Sequence, residues 1–352
     1  MKLIRKSLGI LKCQLNFLTD RTFTLPFLVF NITTRCNSFC LMCDFWKNQN
    51  FDELSVQEIQ SVADSGERLN LKKFVISGGE PLLHPDFTTI VNILEKTKAK
   101  LSLATNGIIL EKYASLVAKS FSTVFISLDG SSPEVYKKVR GVDGLADVMA
   151  GVKKLKSLNP SILVIGRNII QKSNYFDLPA IVKTAKDMGM DHISFSAADV
   201  QYAAFGRDSK VEYETARSIL LDENDLIRFK AVITSLKNNN HKFFSSRFII
   251  EGFKILSNIH SYYEAMIGRS TFPAVHCNLP WLYAVIDADG NLRPCCLHKG
   301  VGNIRQESFE KIVASAAMTE FRKSLKRKKD LMCSHCAYSS AKVHLKMLYE
   351  MF

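Results

Sequence analysis

The chain has 352 residues, 47% of them hydrophobic, which at about 150 residues per domain supports roughly two domains with a sizeable core. Disorder, a collagen-like repeat, a small disulfide scaffold and a membrane span of about 18 apolar residues are all excluded as readings. The 47 basic residues exceed the 34 acidic ones by 13, which favours anionic surroundings, but the surplus is spread along the chain. Its densest cluster (Lys323, Lys326, Arg327, Lys328, Lys329) lacks interleaved aromatics, so a solvated helix face is expected there and nucleic acid is not an expected partner.

The first residues are basic (Lys2, Arg5, Lys6), but Lys12, Gln14 and Asn16 interrupt the apolar stretch and no small-residue cleavage site follows, so a cytoplasmic location is expected. Over residues 3–18, Ile4, Leu8, Leu11, Leu15 and Leu18 recur at helical spacing. This amphipathic helix, within a leader of 1–26, suits either an anionic membrane surface or docking on its own domain, and docking is the preferred expectation.

From residue 27 to about 200, β-rich runs alternate with helical stretches. The runs are Phe27 to Thr33, Lys73 to Ser77, Lys100 to Thr105, Thr123 to Leu128, Ile162 to Asn168 and His192 to Ser196. Ser55 and Glu58 form a capping box ahead of a helix to Leu69. Strands joined by helical crossovers are parallel, so the expected fold is α/β, a partial (β/α)6 TIM-like barrel whose strands read as buried apolar runs. Ligands of such barrels bind where the loops after the strands converge. Those loops carry three cysteines after strand one, Gly78-Gly79-Glu80-Pro81 after strand two, Thr105-Asn106-Gly107 after strand three and Ser127-Leu128-Asp129-Gly130 after strand four. Residues 201–270 read as a helical connection. Residues 271–345 read as a small α+β module with a strand at Trp281 to Ile286, a turn at Asp287-Ala288-Asp289-Gly290-Asn291 and Cys295-Cys296 on the returning side.

Nine cysteines in a reducing compartment matter by their clustering. Cys36-x3-Cys40-x2-Cys43 sets three soft thiolates on one loop. Structural zinc normally takes four closed ligands, whereas three thiolates on a four-iron cube leave one iron open to an outside ligand. The run Thr34-Arg35-Cys36-Asn37-Ser38-Phe39-Cys40-Leu41-Met42-Cys43, followed by Ser77-Gly78-Gly79-Glu80-Pro81-Leu82-Leu83-His84-Pro85, resembles the radical S-adenosylmethionine (SAM) superfamily. The resemblance covers residue 27 to about 197.

It implies a [4Fe–4S] cluster on Cys36, Cys40 and Cys43 whose open iron chelates SAM, and reductive cleavage of SAM to a 5′-deoxyadenosyl radical that abstracts hydrogen from substrate. By the same resemblance Gly78, Gly79 and Glu80 hold the methionine amino group, while Thr105, Asn106, Ser127 and Arg140 reach the carboxylate or ribose. Met42 departs from the pattern, standing where the family often has an aromatic beside the adenine. A reducing partner such as flavodoxin or ferredoxin is also implied.

In the last quarter, Cys277-x12-Gly290-x4-Cys295 and Cys333-x2-Cys336 can bring four thiolates to a closed metal site, for which zinc and iron–sulfur are not separable on thiolates alone. The spacing resembles the shortened SPASM, or twitch, extension of radical SAM enzymes and implies one auxiliary [4Fe–4S] cluster. Neighbours on a strand face opposite sides, so Cys295 is the expected ligand and Cys296 buried filler. Cys13 is expected in a buried helix, and His84 as a packed or capping residue. No phosphate loop, dinucleotide fingerprint or nucleophile elbow is present.

The expected activity is a net oxidation of a sugar, aminocyclitol or carrier-linked small molecule. The alternatives are a peptide maturase performing crosslinking or epimerisation and, in another class, a non-enzymatic metal or RNA-binding protein. With about 26 residues ahead of the first strand, a separate peptide-recognition domain is not expected there.

Overall fold

The computed structural model describes residues 2–48, 50–327 and 330–338, with side chains from Ser7 onward. Lys328 and Lys329 of the basic cluster and residues 339–345 of the expected C-terminal module lie outside the described residues. Strands β1 (Phe27–Asn31), β2 (Lys73–Ser77), β3 (Lys100–Thr105), β4 (Phe121–Ser127), β5 (Leu163–Ile170) and β6 (His192–Ala197) form consecutive parallel pairs. The sheet is open and runs on past β1 through β7 (Tyr283–Ile286), β8 (Asn291–Arg293) and β9 (Gly302–Asn303). β7 pairs parallel with β1, Phe27 opposite Tyr283 and Phe30 opposite Ile286, before the chain reverses into antiparallel β8 and β9. The cysteine-bearing C-terminal segment therefore shares the barrel's sheet.

Burial alternates along β1 and β2 instead of being continuous. Leu28, Phe30, Phe74, Ile76, Val124 and Ile126 are buried in the main core. Against this face pack the crossover helices, such as Val56–Arg68, whose capping box joins Ser55 and Glu58, and Leu145–Leu158. The other face opens into the lumen, where Asn31, Ser77, Phe125 and Ser127 are half-exposed and Arg167 is exposed. An open barrel leaves part of its inner face wet, which is why β1 and β2 alternate while β6 and β7 are buried almost throughout.

The N-terminal helix, Lys2–Thr19, docks on the protein, but through the face opposite its leucines. Gly9, Cys13, Asn16 and Asp20 are buried, whereas Leu8, Leu11 and Leu18 are 51%, 50% and 76% exposed. Hydrogen bonding decides this orientation. The Asn16 amide donates to the Thr24 and Trp281 carbonyls at 2.7 Å each, and its oxygen accepts the Phe23 N–H at 2.7 Å. The Trp281 indole donates to Asp20 at 2.9 Å, and Cys13 packs with Trp281 and Leu282. Arg322, fully buried, donates to the carbonyls of Pro280 and Asp20 and to the Thr22 hydroxyl, tying the C-terminal helix Ala316–Lys326 to the same corner. Asn16 turned away from these carbonyls would leave buried polar groups unmet, at about 1–3 kcal/mol each.

Candidate functional site: two groups of cysteines

Cys36, Cys40 and Cys43 sit on the loop after β1, which neighbouring elements clamp from several sides. The Phe39 N–H donates to the Arg140 carbonyl at 2.9 Å, and the Asp44 N–H to the Phe205 carbonyl at 2.9 Å. The Trp46 indole donates to the Cys40 carbonyl at 3.3 Å. Arg207, buried with Asp199 at 2.8 Å, also donates to the Met42 carbonyl. Nothing in the sequence signals Arg207, because the contact that ties it to the cysteine loop is to the Met42 carbonyl, 165 residues away.

The Gly78-Gly79 pair lies directly against this loop. Gly79 N–H donates to the Thr33 carbonyl at 2.8 Å and Glu80 N–H to the Arg35 carbonyl at 2.7 Å. A Cβ on Gly78 would lie 2.5 Å from the Thr33 oxygen, and one on Gly79 2.3 Å from the Arg35 oxygen. Gly78 also has φ 144°, in the region that favours glycine. The steric demand on both glycines thus comes from the cysteine loop itself.

Glu80 is fully buried. Its carboxylate accepts the Thr105 hydroxyl at 2.7 Å, the Asn106 N–H at 2.7 Å and the Leu82 N–H at 3.2 Å. Burial outweighs these bonds and raises its pKa to about 7. The Asn106 amide donates to the Asn37 side chain at 2.7 Å and lies 4.0 Å from the Cys36 sulfur. Loops after β1, β2 and β3 are therefore laced through Glu80 and Asn106. Ser127 stands half-buried at the end of β4, with no bond to the cysteine loop.

Arg140, on the last turn of helix Pro133–Arg140, is buried between the Cys40 sulfur at 3.4 Å and the Asp129 carboxylate at 2.5 Å. It is the cation beside the thiols, and Asp129 holds it there. Desolvation raises the thiol pKa of Cys36 to about 11 and that of Cys43 to about 12, so metal binding must displace protons from both. His84 is a packed residue: Nε2 donates to the Leu54 carbonyl at 3.1 Å and Nδ1 accepts the Asp86 N–H at 3.0 Å.

The second group is assembled from three segments. Cys277, Cys295, Cys333 and Cys336 line one cavity of about 370 Å³, together with His298 and Asp330. Cys296 does not line it. Pro294 ends β8, so Cys295 and Cys296 lie beyond the strand, and the opposite-face rule does not govern them. The two thiols instead hydrogen-bond one another, which lowers the pKa of Cys295 and raises that of Cys296. His298 Nε2 is 3.2 Å from the Cys333 sulfur, and Asp330 accepts the Cys333 N–H at 2.9 Å. Neither was legible as a site residue, because a lone histidine and a helix-capping aspartate are common.

The segment 199–207 touches both groups. The Phe205 carbonyl lies 3.5 Å from the Cys43 sulfur, while burial, with Asp199 and the Cys336 and Cys333 thiols nearby, raises the Tyr202 phenol to about 12. Inside the lumen, Arg167 and Lys73 each sit 5.8 Å from the centre of the Phe125 ring, and neither has an ion pair among the described residues. Burial lowers the Lys73 pKa, with Lys100 adding to it.

The radical SAM superfamily matches residues 30–175, and the SPASM iron-sulfur cluster-binding domain matches residues 277–337. A probable GTP 3′,8-cyclase of Methanocaldococcus jannaschii is 31% identical over 274 residues, 76% of this chain and 83% of that protein. The chain belongs to the radical SAM superfamily. Among further relatives, the GTP 3′,8-cyclase of Petrotoga mobilis is 26% identical over 86% of this chain and 90% of its own length. A probable GTP 3′,8-cyclase of Methanococcus maripaludis is 34% identical, but the match spans only 54% of that protein.

The fold is shared with Streptococcus suis SuiB bound to precursor peptide SuiA, at 15% identity and TM-score 0.63 over 92% of this chain and 73% of that one. It is shared too with native anSMEcpe with bound AdoMet, at 18% identity and TM-score 0.64 over 93% and 96%. This radical SAM enzyme has [4Fe–4S] clusters and S-adenosylmethionine as its cofactors. Three thiols on one loop beside a buried arginine, and four thiols lining one cavity, fit two such clusters. No helix among the described residues is long and apolar enough to cross a membrane.

Proposed function

We propose that this enzyme oxidises a small anionic substrate held in the barrel lumen between the two cysteine groups. The carrying observation is the pairing of an incomplete thiol set with a complete one: three cysteines at the mouth and four around the neighbouring cavity. When bound, the first cluster and SAM supply a hydrogen-abstracting carbon radical, and the second cluster supplies a one-electron acceptor. Cys36, Cys40 and Cys43 hold the first cluster. Cys277, Cys295, Cys333 and Cys336 close the second, leaving no iron for substrate.

Glu80 fixes the loops around SAM, with Gly78, Gly79, Thr105, Asn106 and Ser127 along its rim. Arg140 faces the Cys40 sulfur and stabilises its thiolate. Arg167, exposed in the lumen with no ion pair among the described residues, receives the anionic group of the substrate, a phosphate or a carboxylate.

Anaerobic reconstitution with reductant and SAM tests the core of this reading. 5′-Deoxyadenosine should form, and Cys40→Ala should abolish it; no formation by the reduced, cluster-loaded protein overturns it. Among substrates, phosphorylated sugars should raise 5′-deoxyadenosine formation above the substrate-free rate, with Arg167→Gln raising KM.

A second reading is favoured by the 31% identity to a probable GTP 3′,8-cyclase: the anionic substrate is GTP, and the product a cyclised nucleotide with no net oxidation. GTP consumption with a product of unchanged oxidation level would select it. The peptide-maturase alternative rests on shared fold alone.

A further inference from the structure

The N-terminal helix has a leucine face that stands largely open among the described residues, with Leu15 half-buried between the exposed leucines. It is held by Gly9, Cys13, Asn16 and Asp20, and across the helix from them Leu8, Leu11 and Leu18 stand at least half exposed. An ordinary surface helix turns its leucines inward. Here the Asn16 hydrogen bonds and the buried Trp281–Asp20 contact fix the reverse orientation.

Cations flank the outward face. A cavity of about 440 Å³ beside Leu8 is lined by Lys12, Lys72, Lys98 and Arg68, with Glu67 the single acid on its wall. Arg68 is engaged by Glu310, whereas Lys12 and Lys98 have no ion pair among the described residues. Along residues 1–26, Lys2, Arg5, Lys6, Lys12 and Arg21 stand against a single acid, Asp20, and that acid is paired with Lys326. Exposed leucines bordered by unpaired lysines match an anionic bilayer surface, where the apolar side chains enter the acyl boundary and the ammonium groups meet lipid phosphates.

We propose that the leucine face of this helix docks the enzyme peripherally on an anionic lipid bilayer. The surface lies at the end of the barrel where strands begin: Lys72 and Ala99, which line that cavity, immediately precede β2 and β3, and Thr24 and Trp281 lie within three residues of the starts of β1 and β7. The loops bearing Cys36, Glu80 and Asn106 are at the opposite end. Docking therefore turns the mouth away from the lipid, so that the bilayer localises the enzyme and a water-soluble substrate enters from the far side.

Flotation of the full-length protein with phosphatidylcholine vesicles, with and without phosphatidylglycerol, tests this. Binding should require the anionic lipid and weaken as salt rises. Leu8→Ser/Leu11→Ser/Leu18→Ser should lower partitioning by at least about tenfold, while Lys12→Gln/Lys98→Gln should lower it about threefold or more. The triple variant should keep its iron content and 5′-deoxyadenosine formation, since none of the three leucines contacts the cysteine groups.

Absence of binding to both vesicle types overturns the proposal, as does equal binding by the triple variant. A dimer in solution that the leucine substitutions dissociate also overturns it, because a second copy would then cover the face. Loss of 5′-deoxyadenosine formation by the wild type would count against the proposed function and leave vesicle binding intact.

Discussion

The two cysteine groups are built by opposite strategies. At the mouth, three sulfurs fall within eight residues of one loop, and surrounding groups (Glu80, Asn106, Arg140, Arg207) hold that loop through at least one hydrogen bond each. In the C-terminal cavity, four sulfurs come from three stretches spread over residues 277 to 336, and only a few local bonds such as that of Asp330 fix them. The first group is shaped by the fold before metal arrives. The second has fewer such bonds among the described residues, so metal binding there should be a larger share of local stability.

The sharpest separation is catalytic. Cys40→Ala should remove 5′-deoxyadenosine formation by about four orders of magnitude or more, whereas Cys333→Ala should leave it within about tenfold while abolishing coupled product. Each group's full alanine replacement should leave about four irons per chain on the other. Equal loss of both activities in Cys333→Ala would show that the groups are not independent.

Stability should split the other way. Replacing Cys277, Cys295, Cys333 and Cys336 together should lower Tm further than replacing Cys36, Cys40 and Cys43, as read by scanning calorimetry of the iron-loaded proteins. Within the mouth, Arg140→Ala should cost about 3–5 kcal/mol in denaturant unfolding, because it strands the buried Asp129 carboxylate.

The smallest effect concerns Glu80. Its folded pKa of about 7 lies above its ordinary 4.5, so the folded state binds the proton more tightly than the unfolded chain. Its contribution is fully present below pH 4.5 and is lost as pH rises to about 7, an amount of about 3 kcal/mol. Urea titrations of the metal-free protein across that window should show the slope, and Glu80→Gln should flatten it.

Much of this was legible in sequence. Six β-rich runs became β1 to β6, with ends moved by at most a few residues, as β5 runs on to Ile170. Both cysteine groups stood out because sulfur spacing is a local signal. What failed to show depends on partners distant in the chain. The leucine stripe of residues 8–18 predicts a docking face, yet Asn16 decides the orientation through carbonyls of Thr24 and Trp281, which hydrophobic periodicity does not register. The pairing of Arg140 with Asp129 and Cys40 has no local signal either, since Asp129 reads only as a residue of the loop after β4. Lys73 and Arg167 carried no signal at all, since only the closing curve of the sheet brings them to one phenylalanine ring.

The pairing of β1 with β7 has a consequence for how the chain is made. Asn31 and Asp287, bonded at 2.8 Å across that seam, are 256 residues apart. During synthesis the strand leading into the first cysteine loop therefore waits with one side unpaired until most of the polypeptide has emerged, a long-range closure that slows folding. A shortened gene product ending before residue 277 would keep that raw margin permanently, exposing a template for sticking to its own copies.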